Sequence, residues 1–285
     1  MHHIFTVDLE DWYCTRAVGS LLHRSDWKSC ESRVRIGTRR ILELLERKGI
    51  EGTFFVLGYI AEREPELIRE IVDRGHEIAT HGYAHRSLEE MFPEEFRDDL
   101  VHSIDLITSI TGKNVCGFRA PNFSLTEKTA PWAIEIIQDC DLLYDSSVFP
   151  TTIHPAHHFS EESPIIHQFA NGLIEAPVSC VDLCGLRLPA TGGAYFRHAP
   201  FWLSAALIDW CERQGIPALF YIHPWELDTE QPRLRLPILQ RIRQYRGIES
   251  LYEKLDRLTD RFQFTSLRHL FSSLDRNGTC SVRQG

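Results

Sequence analysis

Short apolar runs alternate along this chain with longer stretches in which apolar residues recur every three or four positions. The run "HIFTVDL" ends in acid and reads as a strand whose polar groups emerge at its C-terminal end. "TRRILELLERKGI" carries Ile41, Leu42, Leu44 and Leu45 at helical spacing and stops at Gly49. The pairing then repeats: "GTFFVLG" with "EPELIREIVDRGH", "EIATHG" with "FPEEFRDDLVHSIDLITSITG", "VCGFRAP" with "EKTAPWAIEIIQDCD", and a fifth strand "LLYDSS". Short strands alternating with helices of ten or more residues imply βαβ units and a largely parallel sheet, and this many units predict a closed or nearly closed α/β barrel. From Phe149 to Gly172 proline, histidine and acid dominate, marking an excursion. "GLIEAPVS" and "GLRLPATGGAYF" read as β segments outside the simple alternation, before a helix "PFWLSAALIDWCERQGI" and a last strand "PALFYIHPWE". The expected organisation is a barrel over residues 1–226, with its excursion at about 150–200, and a charged C-terminal helical extension over 227–285 packed on the barrel.

Parallel barrels carry their chemistry where the strands finish. The first strand end yields Asp8, Glu10 and Asp11, the third His81 and His85, and the fourth Arg119 and Pro121. The fifth yields Asp145, Ser146 and Ser147, and the last His223, Pro224, Trp225 and Glu226. One carboxylate with two imidazoles is a standard ligand set for a catalytic zinc that keeps a position open for water. His81 and His85 in "THGYAH" supply the imidazoles, and their spacing suits a single turn of helix facing a metal. A second carboxylate can take the proton from an attacking water, and a histidine opposite can protonate a leaving group. Tyr195 and Trp225, with Trp12, Tyr13, Tyr83, Phe123 and Phe196, are candidates for an aromatic wall against a sugar ring. Gly192–Gly193 is either a close backbone approach to substrate or a plain turn.

Charge and composition then exclude some partners. Lys and Arg number 31 against 40 Asp and Glu, a net charge of −9 that argues against a nucleic-acid partner. The longest apolar stretches, such as "GTFFVLGYIA", are too short to span a bilayer, and "MHHIFTVDLEDW" lacks the pattern of a secretory leader. The expected location is therefore cytoplasmic, and the scattered cysteines, with no CxxC pair, are expected to be reduced thiols. The histidines of "HPAHH" (154–158) are secondary candidates for adventitious metal or cleft lining.

"HGYAH", "FRAPNFS", "YDSS" and "YIHPW" resemble, in this order, the motifs of the NodB-type polysaccharide deacetylases, carbohydrate esterase family 4. The chain is most similar to the exosortase-associated branch from exopolysaccharide gene clusters, on the strength of "TVDLEDW" and "HPWELDTEQPR". The resemblance covers roughly Ile4 to Phe264. It implies a distorted (β/α)7-type barrel, a divalent metal and removal of N-acetyl groups from an amino-sugar polysaccharide or its oligosaccharide precursor. The metal is expected to be Zn2+, with Co2+, Ni2+ or Mn2+ as alternatives. By the resemblance Asp8 is the general base, Arg119 orients it, His223 is the general acid and Asp145 tunes His223, while Pro121, Tyr195 and Trp225 face substrate. The family pattern has two adjacent aspartates where this chain has Asp8-Leu9-Glu10-Asp11. Asp11 is the favoured third ligand over Glu10, although strand alternation puts Asp8 and Glu10 on one face. Two other readings stand beside this one: an allantoinase-like cyclic amide or imide hydrolase on the same fold, and a non-catalytic carbohydrate-binding protein. The C-terminal helices are candidates for contact with a membrane-associated polysaccharide assembly or for oligomerisation.

Overall fold

The computed structural model describes residues 1–152 and 163–274. Strand β1 (His2–Leu9) lies at its centre and is buried throughout beyond His2. Unbroken burial is what a parallel strand covered on both faces requires, and its run of Ile4, Phe5, Val7 and Leu9 supplies it. Along one edge β1 pairs in parallel with β2 (Thr53–Val56), along the other with β10 (Leu219–Ile222). From β2 the sheet continues in parallel through β3 (Glu77–Thr80), β4 (Gly117–Phe118), β5 (Tyr144–Asp145) and β7 (Ile174–Glu175). The antiparallel β6 (His167–Gln168) ends it. The sheet curls into a half-barrel with β10 and β6 as its two ends. A hairpin of β8 (Cys180–Leu183) and β9 (Leu186–Pro189) stands apart. Its neighbours Ser179 and Thr191 satisfy the Leu219 amide and carbonyl on the free edge of β10.

Helices α1 (Val34–Lys48), α2 (Gly58–Arg63), α3 (Pro65–Asp73), α4 (Pro93–Thr111) and α5 (Ala130–Asp139) connect successive strands. Their Ile41, Leu42, Ile68, Leu100 and Ile137 share one core with Phe5, Val7, Leu9, Phe54, Val56, Phe118 and Phe220 from the sheet. The opposite side chains of the same strands, Ile4, Phe55, Ala79, Tyr144, Leu219 and Tyr221, form a second core within the curl. Period-two alternation therefore assigns Asp8, Glu10, His81 and His223 to the inner face, each an even number of positions from an inner residue, and Arg119 with them, one position past the outward-facing Phe118.

The structure adds elements where the pattern was ambiguous. "GGAYFRH" is not β but helix α6 (Gly193–His198), which leads into α7 (Phe201–Arg213). A Cβ on Gly192 would lie 2.2 Å from the Tyr221 ring, so the glycine pair admits that ring rather than a substrate. After Glu226 come α8 (Ile238–Tyr245), α9 (Leu251–Arg261) and α10 (Leu267–Leu274), but also β11 (Gln263–Thr265). Ile4 pairs with Leu219 of β10 and also with Thr265 of β11, so β11 lies on the edge that β2 uses further along β1. The C-terminal segment thus contributes to the sheet as well as covering it. Among the described cysteines Cys14, Cys30, Cys140, Cys180, Cys184 and Cys211 are free, whereas Cys116 is disulfide-bonded, which departs from uniformly reduced thiols. No described helix is long and apolar enough to cross a membrane.

Helix α1 packs against the turn that follows β10, and Gly37 makes this possible: a Cβ there would lie 1.8 Å from the Pro224 carbonyl oxygen. Alanine gains about 1 kcal/mol over glycine in a helix interior, while overpacking costs roughly 1–3 kcal/mol. A clash with backbone takes the upper end of that range, so Gly37→Ala lowers stability by about 2 kcal/mol. Because Pro224 follows His223, the same clash displaces that histidine. Urea melts measure the loss of stability, and a stabilised variant contradicts the close approach.

Candidate active site

The inner-face residues converge at the C-terminal ends of β1, β3, β4 and β10. Glu10 Oε1 lies 3.2 Å from His81 Nε2 and 2.9 Å from His85 Nε2. The three donors are buried and within 4.8 Å of one another, a set that fits a divalent cation. His81 Nδ1 lies 2.7 Å from the Arg119 carbonyl, which can only accept, so that nitrogen carries a proton and Nε2 is the nitrogen that faces Glu10. Burial alone would raise the Glu10 carboxyl, but His85, His223 and His81 outweigh it and hold it well below the usual range.

His81 and His85 are not on a helical turn, contrary to the expectation from their spacing. Gly82 (φ 70°) and His85 (φ 50°) reverse the chain. The Asp99 carboxylate on α4 accepts the amides of Tyr83 and Ala84, at 2.7 and 3.1 Å, and holds that bend. Asp11, the favoured third ligand, is also placed elsewhere. Alternation carries Glu10 inward with Asp8 and turns Asp11 outward to the start of α1. There its carboxylate accepts the amides of Trp12 (2.8 Å), Arg33 (2.8 Å) and Val34 (3.1 Å). Burial pushes its carboxyl up to about 6 despite these donors.

Asp8 stands beside the cluster. Arg119, fully buried, donates from Nη1 to Asp8 Oδ1 at 2.6 Å and to Thr6 Oγ1 at 2.8 Å. It also donates to Ser146 through Nε and Nη2, and its guanidinium lies 4.0 Å from the Phe55 ring centroid. So tethered, Arg119 fixes the carboxylate's direction. His223 faces Asp8 from β10, with Nε2 3.8 Å from Oδ2. Trp225 stacks on the His223 ring at 5.4 Å and 26°.

Asp145 does not reach His223. Tyr144 points into the inner core, so Asp145 faces the other way, beside its register partner Glu175. It accepts from Ser147 Oγ, and burial raises the carboxyls of both Asp145 and Glu175. The carboxylate on His223 is Glu226 instead, with Oε2 2.9 Å from Nδ1. Glu226 in turn accepts from Arg197 Nε at 2.9 Å, and both side chains are fully buried. Arg197 also donates to the carbonyls of Arg243, Gln244 and Arg246, tying the end of α8 to the histidine's partner. The sequence signal for Glu226 was its place three residues after a strand-end histidine; nothing local marked Arg197. Burial opposes protonation of His223, but Glu10, Glu226 and Asp8 outweigh it and push it up to about 9.

A groove leads away from this centre, lined by Arg16, Phe123, Tyr195, Tyr221, Trp225 and Arg243 among others. Of the candidate aromatic wall, Tyr195, Trp225 and Phe123 line this groove. Pro121 is buried in the 3-10 turn Pro121–Phe123 and does not line the groove. Trp12 and Tyr13 pack together and toward Trp27, Phe196 packs on Phe220, and Tyr83 contacts His102. The "HPAHH" histidines lie outside the described residues.

Residues 33–139 match the family model described as polysaccharide deacetylase. The chain carries a polysaccharide deacetylase domain. Residues 146–272 match a domain of unknown function, DUF3473. The centre draws on both matches and on β1: the deacetylase match holds His81, His85 and Arg119, while the second holds Arg197, His223 and Glu226. A peptidoglycan deacetylase-like protein of Gibberella zeae is 38% identical over 116 residues, 40% of this chain and 33% of that protein. A peptidoglycan-N-acetylglucosamine deacetylase of Bacillus cereus is 30% identical over 98 residues, 34% of this chain and 36% of that protein. The chain thus spans little more than a third of these two relatives' own lengths. A crystal structure from Mycobacterium smegmatis, provisionally designated a polysaccharide deacetylase, superposes with a TM-score of 0.62. It is 22% identical, covers 96% of this chain and 91% of its own, and shows that the deacetylase fold extends across both matched regions.

Proposed function

We infer that the protein is a metal-dependent hydrolase that removes N-acetyl groups from an amino-sugar polysaccharide or its oligosaccharide precursor. The observation that carries this reading is the placing of Asp8 and His223, 3.8 Å apart, beside a buried Glu10–His81–His85 donor set. Glu10, His81 and His85 would hold a divalent cation, with zinc the best match to these donors, and it would supply Lewis acidity at the acetamide carbonyl and lower the pKa of a bound water. Asp8, aimed by Arg119, takes the proton from the attacking water as it adds to the carbonyl carbon. His223 protonates the departing amine, releasing acetate and a free amino sugar. Glu226 holds the His223 ring through Nδ1 and leaves Nε2 facing Asp8. The names of the deacetylase match and of the relatives support the substrate class.

Incubation with a neutral chitin tetrasaccharide, and separately with allantoin, tests the reading. Acetate from the tetrasaccharide and no ring-opened product from allantoin is the expected result. The reverse assigns the site to cyclic amide hydrolysis, and binding without either product leaves only a carbohydrate-binding protein.

Glu226→Gln gives a second check through pH. The general acid works protonated, so activity falls as pH rises through the His223 pKa. Glu226 raises that pKa by a charge-assisted hydrogen bond, and removing it lowers the pKa. The alkaline limb of the kcat/KM profile then moves down by about one pH unit. A limb that stays in place contradicts the partnership.

A further inference from the structure

Two adjoining cavities make up the groove beside His223. The inner one, of 200 Å³, reaches Asp8, Glu10, His223 and Glu226; the outer one, of 380 Å³, is walled by Phe123, Phe149, Tyr195 and Tyr221. Arg16 and Arg243 line both. In a chain of net charge −9, no acidic side chain among the described residues lines the outer cavity. Arg16 and Arg243 are exposed, and neither guanidinium has an ion-pair partner among the described residues. His198 lines the same cavity with a buried Nε2 that has no hydrogen-bond partner among the described residues. The acids of the groove are confined to its inner end, where Arg119 and Arg197 already pair Asp8 and Glu226.

We propose that the outer cavity is an anion subsite, which takes a carboxylate or phosphate group carried by the saccharide whose N-acetyl group is presented at the inner end. The proposal rests on the deacetylase reading for which saccharide is bound. The aromatic walls offer flat apolar faces to a sugar ring, and guanidinium forks match carboxylate and phosphate oxygens. Charge segregation also sets direction. An anionic group is repelled from Asp8, Glu10 and Glu226 and drawn to Arg16 and Arg243, so the neutral acetamide enters the inner end first. Arg243, Tyr195, His198 and Tyr221 all belong to the 146–272 match, which gives that region a part in substrate choice as well as in catalysis.

Calorimetric titration of the wild type and of R16Q/R243Q tests this with three probes. These are a neutral chitin tetrasaccharide, a tetrasaccharide alternating glucuronate with N-acetylglucosamine, and UDP-N-acetylglucosamine. The wild type is expected to bind at least one anionic probe about ten-fold more tightly than the neutral one, with an advantage that shrinks as salt rises. In R16Q/R243Q the ratio falls to about one. The preferred anionic probe separates a carboxylate on a neighbouring sugar from a phosphate at the reducing end. A ratio near one in the wild type, or one that survives the double substitution, overturns the proposal. Acetate release from the neutral tetrasaccharide is read alongside: its absence contradicts the deacetylase reading, while the affinity ratio reports on the subsite in either case.

Discussion

Replacing Glu10, His81 or His85 singly with alanine removes divalent-cation binding and acetate release together, whereas Asp11→Ala keeps the cation. Each of the three contributes one donor atom to a buried cluster that has no fourth member among the described residues. Losing a residue that only supports a ligand typically costs ten- to a hundred-fold in metal affinity, so losing a ligand itself takes binding below that. Activity is expected to fall by at least about 10³-fold, because the cation's charge stabilisation and its water are lost at once. Asp11 holds amides of Trp12, Arg33 and Val34 at the start of α1, so its removal costs about 1–2 kcal/mol of stability, the scale of a lost helix cap. Metal content after dialysis, acetate release and thermal melts distinguish the two classes. A variant at Asp11 that sheds the cation while Glu10→Ala retains it sinks the assignment.

Asp8→Asn is the second large effect. Asparagine keeps the side chain's size and can still accept from Arg119, but it cannot take a proton from water. A general base contributes typically 10²–10⁴-fold, and a loss in that range is expected in kcat, with KM and metal content close to wild type. That split separates a lost base from a lost ligand. A large rise in KM with unchanged kcat assigns Asp8 to substrate binding instead.

Much of this centre was legible in the sequence because parallel strands hand their chemistry to their C-terminal ends. Asp8, His81, Arg119 and His223 each follow an apolar run, and period-two alternation places them on one face. The same rule, carried one step further, distinguishes Glu10 from Asp11: Asp8 and Glu10 share a face, and a turn after the strand was not needed to bring the third donor of the cluster in. It also excludes Asp145, since its neighbour Tyr144 occupies the inner core. Other features had no local signal. The bend that joins His81 to His85 depends on Asp99 from α4, and the Glu226–Arg197 pair that backs His223 joins residues 29 apart in sequence. The strand β11 was hidden because three residues of "QFT" are too few for a periodicity to register, and only pairing with β1 defines them.

The most direct test of metal-dependent deacetylation is a time course of acetate released from an N-acetylglucosamine tetrasaccharide. The chain is stripped with a chelator and then titrated with Zn2+. The account predicts no release from the stripped chain and recovery that saturates near one equivalent of zinc. Release that ignores the chelator, or a reloaded chain that binds the tetrasaccharide and frees no acetate, contradicts it.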